Sequence, residues 1–541
     1  MPFMSGADAL VALLVRDGVK VVFGIPGVQI MDAVDAIYRD KNIRWISTRH
    51  EQTAAYMAYG YALSTGKTGV AMVLPGPGAL NTTAAIGTAY SASTPVLLIS
   101  GQIESEHLGF NRGVLHELDD QLEIFKYLTK YCGRAKRAED IPDILCRAFR
   151  ELKTGCPRPV EIEVPFDLWA KKGEMTFSST EKPEPVPPDA ADIKKAAEIL
   201  KKAEHPMILA GRGAVKSGIS QEVMQLAEIL RAPVVMTPEA LGLIPNTHPF
   251  YGGNSTLWLN PIFKEADAIL VIGAKLRAAG NTHFHLESDQ RVIQIDCNSG
   301  ELSRNFLDGL EISRDTRPAM NAIIKSLGGQ SSSLWDADEV AALREGLKKK
   351  LAKAAPLQMS VIDTIHSVIG DEGIIVPDIT NIGYWCDIAY PANRLYSYIE
   401  ISYFATLGFA FPTALGAKVG NPDRPVVAIC GDGGFAYASS ELAMAVQEKI
   451  NTVTLVFTDN AYGTVTSIQR RQFGGRFIGN KLHNPDYVKF AEAFGAVGMR
   501  LEKPEQLGKK LREALTLDKP VIIEIPVPQL NTPWEALIEE G

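Results

Sequence analysis

Short apolar runs alternate along the chain with segments whose apolar residues recur at three- or four-residue spacing. Near the carboxyl end, the run Val426–Cys430 precedes a helical pattern and then a second run, Val453–Phe457. The helical positions between the runs are Leu442, Ala443, Val446 and Ile450. Such runs are typical of buried parallel strands, so the stretch predicts a strand–helix–strand crossover with Ser439 or Ser440 as the helix N-cap. The residues that follow the two strands should meet at one edge of the sheet.

The same alternation continues through the whole chain and is interrupted at two breaks. Phe177–Ala191 is rich in proline, and the stretch around 328–333 is small and polar. Alternating strands and helices indicate an α/β fold, which we expect to comprise three consecutive doubly wound parallel-sheet domains. The predicted domains span residues 1–176, 192–328 and 340–541.

In the first of these segments, an acidic residue lies where a strand gives way to a helix. The predicted strands are Val21–Gly24 and Ile43–Ser47, and a helix is predicted over Thr53–Ser64. Glu51 therefore lies at the carboxyl edge of the predicted sheet. On its own it could be a first-turn acid that is favoured by the helix dipole.

A carboxylate stands inside a glycine turn after the strand Val426–Cys430. The turn reads Gly431-Asp432-Gly433-Gly434, and the second strand ends at Asp459-Asn460. Glycine amides at a helix start attract phosphate, which a carboxylate would repel unless a cation lies between them. Since Mg²⁺ binds carboxylate and phosphate oxygens together, the pattern predicts a metal-bridged diphosphate, with Asp432 and Asn460 as ligands. Neither a P-loop nor a dinucleotide-binding glycine pattern is present there.

Composition narrows the possible partners. The chain has 541 residues, 46% hydrophobic and 22% charged, with a net charge of −8. Without a basic stripe, nucleic acid is not an expected partner. No apolar run reaches the roughly 18–20 residues that a membrane span needs, and the N-terminus predicts an amphipathic helix rather than a signal peptide. The six cysteines lack C-x-x-C spacing, so we expect free thiols and a cytoplasmic location.

GDG followed, after the crossover, by Asn460 resembles the diphosphate signature of thiamine diphosphate (ThDP) enzymes, although the family usually has Asn in place of Asp459. The sequence Arg49-His50-Glu51-Gln52 looks like that family's catalytic acid motif. The chain is most similar to the acetolactate synthase group, in stretches reading FGIPG, HEQTAAYMAYGYA, GPGALNTTAAIGTAY, TPVLLISGQ, TLGFAFPTALGAKVGNPD and GDGGF. The resemblance implies a pyrimidine-binding domain, a central Rossmann-like domain and a diphosphate-binding domain.

The resemblance also implies roles for individual residues. Glu51 would be the acid that activates the cofactor, and Asp432, Asn460 and Tyr462 would bind the metal. Leu407 would be the apolar residue that holds ThDP in its bent shape, although core packing also explains a leucine. The implied cofactor-binding residues are Pro26, Gly27, Gly76, Gly78, Asn81, Thr380, Asn381, Leu407, Gly431, Gly433, Gly434 and Tyr462.

The chain departs from the acetolactate synthases at positions close to the implied reaction centre. Val28 and Gln29 follow the first Pro-Gly, and Leu115-His116-Glu117 replaces a Phe-Gln-Glu stretch. We predict catalytic roles for Gln29 and for His116, whose imidazole could move protons, although His116 could equally be a surface residue. Ile468 replaces a tryptophan, so Val28 and Ile468 are predicted to line an aliphatic substrate pocket.

The central segment shows two strand–glycine patterns, at Pro206–Gly213 and Ala268–Ala274. Flavin-binding relatives have a Gly-Ala-Arg-Phe-Asp-like stretch, whereas this chain reads Gly273-Ala274-Lys275-Leu276-Arg277. We therefore expect no FAD. His283 and His285 have no matching metal partners nearby and are interpreted as structural.

The resemblance implies a ThDP- and Mg²⁺-dependent enzyme that decarboxylates 2-oxo acids, followed by carboligation and some aldehyde release. The alternatives are a simple 2-oxo acid decarboxylase, a lyase for 2-hydroxy ketones or 2-hydroxyacyl thioesters, and a regulatory protein without turnover. Family enzymes bring the first domain of one chain against the third domain of another. We therefore expect a homodimer or dimer of dimers, with sites at the interface.

Overall fold

The computed structural model describes residues 2–178, 184–254, 259–275, 290–302 and 309–537. Four positions considered above, Leu276, Arg277, His283 and His285, lie outside these ranges.

Regular elements follow one another in the alternation that the sequence predicts. The strands are β1 (Phe3–Ser5), β2 (Val21–Gly24), β3 (Arg44–Ser47), β4 (Gly69–Val73), β5 (Val96–Gln102), β6 (Tyr131–Arg134), β7 (Val160–Pro165), β8 (Lys172–Glu174), β9 (Pro206–Ala210), β10 (Val234–Met236), β11 (Tyr251–Asn254), β12 (Ala268–Ile272), β13 (Arg291–Asp296), β14 (Leu310–Ser313), β15 (Ile374–Pro377), β16 (Val426–Gly431), β17 (Val453–Thr458), β18 (Val497–Arg500) and β19 (Val521–Pro526). The helices are α1 (Gly6–Arg16), α2 (Met31–Asp40), α3 (Glu51–Thr65), α4 (Pro77–Asn81), α5 (Thr83–Ser91), α6 (Gln121–Phe125), α7 (Ile141–Lys153), α8 (Phe166–Ala170), α9 (Ala190–Lys202), α10 (Arg212–Ser217), α11 (Ser220–Leu230), α12 (Pro261–Glu265), α13 (Thr316–Leu327), α14 (Ala337–Ala354), α15 (Pro356–Ile369), α16 (Asn381–Ala389), α17 (Ala410–Gly420), α18 (Asp432–Ala438), α19 (Leu442–Gln447), α20 (Gly463–Gln472), α21 (Tyr487–Ala493), α22 (Leu507–Leu515) and α23 (Pro533–Leu537).

The first compact unit contains residues 1–183, 374–380 and 401–529. It holds a parallel sheet in the order β3-β2-β4-β5-β7-β6 and a second parallel sheet in the order β15-β16-β17-β19-β18. A short antiparallel pair, β1 with β8, completes its strands in the described part of the chain. The central strands of both parallel sheets are buried, as expected where helices cover both faces of a sheet, whereas the edge strands β3, β6 and β18 are partly exposed.

The second compact unit contains residues 184–373, 381–400 and 530–541. Its sheet has the order β11-β10-β9-β12-β13-β14 and is parallel throughout. The three parallel sheets confirm the α/β prediction. The predicted break Phe177–Ala191 is too long at its carboxyl end, because α9 begins at Ala190, where the Asp189 side chain caps it.

The predicted crossover is present, with one correction. Strands β16 and β17 pair in parallel, with Val427 opposite Val453. However, the connecting helix begins directly at Asp432, so Ser439 and Ser440 are not its N-cap. Ser439 instead donates to the carbonyl of Ala436 at the end of α18. A 3-10 turn over Ser439–Glu441 then leads into α19, which ends before Ile450.

Within the first unit, α3 and α17 approach each other backbone to backbone. A Cβ atom built on Gly60 would lie 2.0 Å from the carbonyl oxygen of Thr413, and one built on Gly416 would lie 2.0 Å from that of Met57. The hydroxyl of Tyr56 hydrogen-bonds Thr406, and the Tyr56 ring packs edge-on against Phe409. The residues before α17 are therefore fixed against α3.

A buried carboxylate holds the start of α17. Asp378, which follows β15, accepts hydrogen bonds from the backbone N–H groups of Ile379, Gly408 and Ala410. These bonds favour the ionised form, but burial dominates and raises the pKa of Asp378 to about 6. The carboxylate thus connects β15 to the turn at Leu407–Gly408.

Two expectations from composition can be compared with the structure. Within the described ranges, no helix combines the length and apolar character that a bilayer crossing requires. The structure describes all six cysteines, and no disulfide bond joins any of them.

We expect Gly416→Ala to destabilise the first unit, because its methyl group would clash with the Met57 carbonyl. Overpacking of this kind costs about 1–3 kcal/mol, so the thermal unfolding midpoint should fall by several degrees. The control is Gly346→Ala in α14, where a Cβ has open space, and it should stabilise by about 0.5–1 kcal/mol. Equal midpoints for parent and Gly416→Ala protein would contradict the packing.

We also expect Asp378 to make stability depend on pH. Its folded pKa of about 6 lies above the ordinary value of 3.8, so it contributes stability at low pH that is lost as pH rises through 6. The loss is on the order of 3 kcal/mol between pH 4 and 6. Urea unfolding across this window should give a flatter pH profile for Asp378→Asn. The exposed Asp32→Asn should keep the parent profile, and identical slopes for all three would contradict the assignment.

Candidate active site

Asp432 lies at the carboxyl edge of the second sheet, at the point where β16 passes into α18. Its Oδ1 accepts from the N–H of Gly433 at 2.9 Å, and its Oδ2 accepts from the N–H of Asn460 at 2.8 Å. Burial raises the pKa of Asp432, and a hydrogen bond from Asn484 opposes that effect. The structure therefore brings together the two residues that the sequence predicts as metal ligands.

Asn484 contributes a contact that the sequence did not indicate. Its side-chain nitrogen donates to Asp432 Oδ2 at 2.7 Å and to Asn460 Oδ1 at 3.0 Å. Asp432 Oδ2 and Asn460 Oδ1 therefore face the same point. The NH₂ group of Asn484, whose hydrogens carry partial positive charge, lies at that point. Carboxylate and amide oxygens in this arrangement suit a hard cation, so the donor set fits a Mg²⁺ site.

Asp459 lies beside this group and adds negative charge. Its Oδ1 accepts from the N–H of Ala461 at 3.2 Å. Burial, reinforced by the neighbouring carboxylate of Asp432, raises the pKa of Asp459 to about 6. A bound cation would relieve the repulsion between the two carboxylates.

The glycines after β16 allow neighbouring groups to come close to the backbone. A Cβ atom on Gly433 would lie 2.6 Å from the Tyr462 ring, and one on Gly434 would lie 2.9 Å from Asp378 Oδ2. A Cβ on Gly431 would meet the Thr380 hydroxyl at 2.9 Å. Thr380, Tyr462 and the three glycines thus form one cluster at this edge.

Four other predicted residues of the third domain lie around the glycine cluster or outside it. Leu407 precedes Gly408, where a Cβ atom would lie 3.1 Å from the Gly434 carbonyl oxygen, so its turn adjoins the glycine cluster. The Tyr462 carbonyl accepts from the N–H of Thr466 at the start of α20. Ile468 lies half-buried in the same helix. Asn381 belongs to the second unit, where its amide donates to the carbonyls of Leu530 and Asn531.

Glu51 begins α3 at the carboxyl edge of the first sheet. Asn81 donates to Glu51 Oε2 at 2.9 Å, and a Cβ on Gly78 would lie 3.6 Å from Oε1. The structure therefore joins the predicted acid to two of the predicted cofactor-binding residues, which lie on α4. The helix itself is longer than predicted, since it includes Glu51 and Gln52.

Gly76 takes a backbone conformation that only glycine adopts readily. Its φ is 56° and its ψ is −114°, and its N–H donates to Gln121 Oε1 at 2.8 Å. The Gln121 amide nitrogen in turn donates to Ser100 and to the buried Glu163. Gln121, the first residue of α6 and one that the sequence did not single out, therefore links the glycine loop to β5 and β7.

The loop that contains Gly76 lies next to a group of four residues, Val28, Gln29, Leu115 and His116. Gln29 is buried, and its side-chain nitrogen donates to the Leu115 carbonyl at 3.3 Å. Within the described ranges, the buried atoms Gln29 Oε1 and His116 Nδ1 have no hydrogen-bond partner. His116 also has a φ of 69°, and its carbonyl oxygen lies 2.6 Å from a Cβ built on Gly76. Buried polar atoms without partners indicate a place where a bound molecule completes the hydrogen bonding.

Pro26 and Gly27 form the turn between β2 and the 3-10 turn Val28–Ile30. They place Gln29 at the same sheet edge as Glu51. The predicted residues thus form two groups at the edges of the two sheets. The Glu51 cluster on the first sheet consists of Glu51, Pro26, Gly27, Gln29, Gly76, Gly78, Asn81 and His116. The Asp432 cluster on the second sheet consists of Asp432, Thr380, Gly431, Gly433, Gly434, Asn460 and Tyr462. Among the described residues, no hydrogen bond connects Glu51 or Asn81 to Asp432 or Asn460.

Comparison with protein families agrees with this arrangement. The model described as the thiamine pyrophosphate enzyme, N-terminal TPP binding domain, matches residues 4–124, where thiamine pyrophosphate is another name for ThDP. The central-domain model of the same family matches 193–323, and the C-terminal TPP binding domain matches 378–525. The predicted domain boundaries themselves stay a prediction.

Curated proteins resemble the chain over nearly its full length. A probable acetolactate synthase large subunit of Methanocaldococcus jannaschii is 32% identical, covering 99% of this chain and 93% of the relative. A probable 2-ketoarginine decarboxylase of Pseudomonas aeruginosa is 31% identical, over 96% and 94% of the two chains. The acetolactate synthase large subunit of Haemophilus influenzae is 30% identical, over 100% and 97%.

The family resemblance, the α/β fold and the enzyme class that the sequence predicts are therefore confirmed. The expectation that the central domain holds no FAD stays a prediction. With the Asp432 and Glu51 clusters at two sheet edges and family matches in all three domains, the chain belongs to the thiamine diphosphate enzymes, in the acetolactate synthase-like group.

Proposed function

We propose that this protein is a ThDP- and Mg²⁺-dependent enzyme that decarboxylates short 2-oxo acids, ligates the product to a second carbonyl compound and releases some aldehyde. The observation that carries this proposal is the pair of oxygens, Asp432 Oδ2 and Asn460 Oδ1, which face one point beside a glycine cluster. Bound ThDP supplies an electron sink for the loss of CO₂.

Each residue of the Asp432 cluster has a proposed part in binding. Asp432, Asn460 and the Tyr462 carbonyl hold Mg²⁺, and the close backbone at Gly431, Gly433 and Gly434 accommodates the diphosphate. Thr380 binds the cofactor near the end of β15, and Leu407 supports it from the turn before α17. The carboxylate of Asp432 offsets the charge of the cation, which lowers the cost of burying both.

The Glu51 cluster is proposed to bind the pyrimidine end of the cofactor. Glu51 holds a proton for the pyrimidine ring, and its hydrogen bond from Asn81 fixes the orientation of the carboxyl group. Gly76 and Gly78 bring the backbone of the loop and α4 close to the cofactor, and Pro26 and Gly27 form the opposite wall. The buried hydrogen bond from Gly76 to Gln121 holds the loop that contains Gly76 in place.

Gln29 and His116 are proposed to contact the substrate. The unpartnered Gln29 Oε1 accepts a hydrogen bond there, and His116 moves a proton through the unpartnered Nδ1. Val28, which is 69% exposed, and Ile468 give this side an aliphatic surface, so the acceptor should be selected weakly. A histidine that can donate a proton on this side favours aldehyde release as the second outcome.

We infer that the site is completed by a second chain, in a homodimer or a dimer of dimers. In the part of one chain that the structure describes, no hydrogen bond connects Glu51 or Asn81 to Asp432 or Asn460. Exposed apolar side chains flank both clusters, including Leu115, which is 67% exposed, and Tyr437, which is 62% exposed. Burial of such surface is the usual driving force for a stable interface.

The reaction can be tested directly with the purified protein, ThDP and Mg²⁺. We expect pyruvate to give CO₂, acetolactate and acetaldehyde, and 2-oxobutyrate to serve as a second acceptor. Because one relative is named as a 2-ketoarginine decarboxylase, that 2-oxo acid belongs in the same assay. Turnover of 2-hydroxy ketones or 2-hydroxyacyl thioesters without turnover of any 2-oxo acid would support the lyase alternative instead.

Removal of the charged metal ligand should weaken cofactor binding strongly. We expect Asp432→Ala to weaken ThDP binding in the presence of Mg²⁺ by at least about 100-fold, as a buried charged contact is lost. Calorimetry on the cofactor-free protein measures the dissociation constant. Asp423→Ala, an exposed acid of the same domain, should bind as the parent does. An unchanged affinity for Asp432→Ala would contradict the metal assignment.

His116 should control what happens after CO₂ is lost. We expect His116→Ala to raise the ratio of acetolactate to acetaldehyde about tenfold or more, within the range of general acid catalysis, while ThDP affinity stays unchanged. Products are compared at equal pyruvate consumption. The matched control is His107→Ala in the same loop, where the imidazole pairs with Glu104. An unchanged ratio would leave His116 without a catalytic role.

A further inference from the structure

Glu441 is a fully buried carboxylate that neither cluster includes. It ends the 3-10 turn between α18 and α19 and has no solvent-exposed surface. Its Oε1 accepts from the backbone N–H of Arg49 at 2.8 Å and of His50 at 2.9 Å. Its Oε2 accepts from the same Arg49 N–H at 3.0 Å, and the Thr53 hydroxyl forms a further hydrogen bond.

These partners lie at the junction that places Glu51. His50 is the N-cap of α3, and its Nδ1 accepts from the N–H of Gln52 at 3.1 Å. Glu441 therefore binds the two N–H groups immediately before Glu51, and His50 binds the one immediately after it. A carboxylate at a helix N-terminus is favoured by the helix dipole, so the ionised form of Glu441 suits this position.

The backbone of Glu441 is connected to the helix that begins at Asp432. Helix α18, which begins at Asp432, leads directly into the 3-10 turn that ends at Glu441. A displacement of the Glu441 carboxylate would therefore move the start of α3 relative to α18. Since catalysis is sensitive to shifts of about 1 Å, a contact of this kind can influence the reaction without touching the substrate.

We propose that Glu441 is a positioning residue, whose ionised carboxylate holds the start of α3 and thereby orients Glu51 for cofactor activation. This inference rests on the proposed function, because it gives Glu51 the role of the acid. Glu441 itself contacts neither cofactor nor substrate.

The charge of Glu441 should change within the working pH range. Burial raises the pKa of Glu441 to about 7, against the opposing hydrogen bonds from Arg49, Thr53 and His50 and the more distant Arg49 guanidinium. Protonation replaces an acceptor by an O–H group that faces N–H donors. The junction should therefore loosen as pH falls below about 7, and Glu51 should lose its orientation on the acid side.

The test compares Glu441→Gln with the parent in two measurements. The first is amide hydrogen exchange of the peptide around 48–54 in the cofactor-free protein, which should become faster in the variant. The second is proton–deuterium exchange at C2 of bound ThDP across pH 5.5–8.5, read by NMR. We expect the variant to slow C2 exchange by roughly 10- to 100-fold above pH 7, while ThDP affinity stays within about threefold.

In the parent protein, C2 exchange should slow as pH falls below about 7. This pH dependence should disappear in Glu441→Gln. In Thr53→Val it should move to higher pH, because that variant keeps the carboxylate but removes one hydrogen-bond donor to it. Thr53→Val also keeps the test decisive if Glu441→Gln does not fold. The matched control is Glu448→Gln, which loses an exposed ion pair with Arg44 between the same parts of the chain and should behave as the parent.

Two results would overturn the inference. One is a parent-like C2 exchange profile in Glu441→Gln or in Thr53→Val, and the other is a loss of ThDP affinity that parallels the loss of exchange. Failure of the proposed function looks different, because the parent protein itself would then not accelerate C2 exchange. Faster amide exchange in the cofactor-free variant, without any effect on C2, would show a structural contact only and would also contradict the proposal.

Discussion

The close contact between α3 and α17 determines how the rest of the first unit is arranged. Gly60 and Gly416 allow each helix to lie against the backbone of the other, where any side chain would meet a carbonyl oxygen. α3 begins at Glu51, and α17 follows directly on the turn that contains Leu407. The distance between the helices therefore sets the position of both turns. Substitutions deep in this contact should disturb the site although they touch no substrate.

Buried carboxylates at helix starts are the second feature that the site depends on. Asp378 accepts from the N–H groups before α17, Glu441 from those before α3, and Asp432 begins α18. Hydrogen bonds favour the ionised forms, whereas burial opposes them and raises the pKa of Asp378 to about 6 and of Glu441 to about 7. The site therefore depends on buried carboxylates that hold helix starts in place and whose ionisation changes near neutral pH.

The sequence predicted the central strands well because their apolar runs are buried on both faces of the sheet. It also placed Glu51 and Asp432 at the carboxyl edges of their sheets, since each follows a predicted strand by at most a few residues. It failed where a residue's role depends on distant packing. Asn484 reaches Asp432 from a loop without periodicity, and Glu441 contacts Arg49, which lies 392 residues earlier in the chain. The N-cap expected at Ser439 or Ser440 was wrong because Asp432 itself starts the helix.

We propose that Glu51 of one chain and Asp432 of another form one site. Glu51→Gln and Asp432→Ala proteins, each inactive alone, can be mixed under conditions where subunits exchange. A mixed dimer then has one site with both substitutions and one site with neither, so pyruvate turnover should recover to about a quarter of the parent value. No recovery, when light scattering and mass spectrometry show that mixed dimers have formed, would contradict the account.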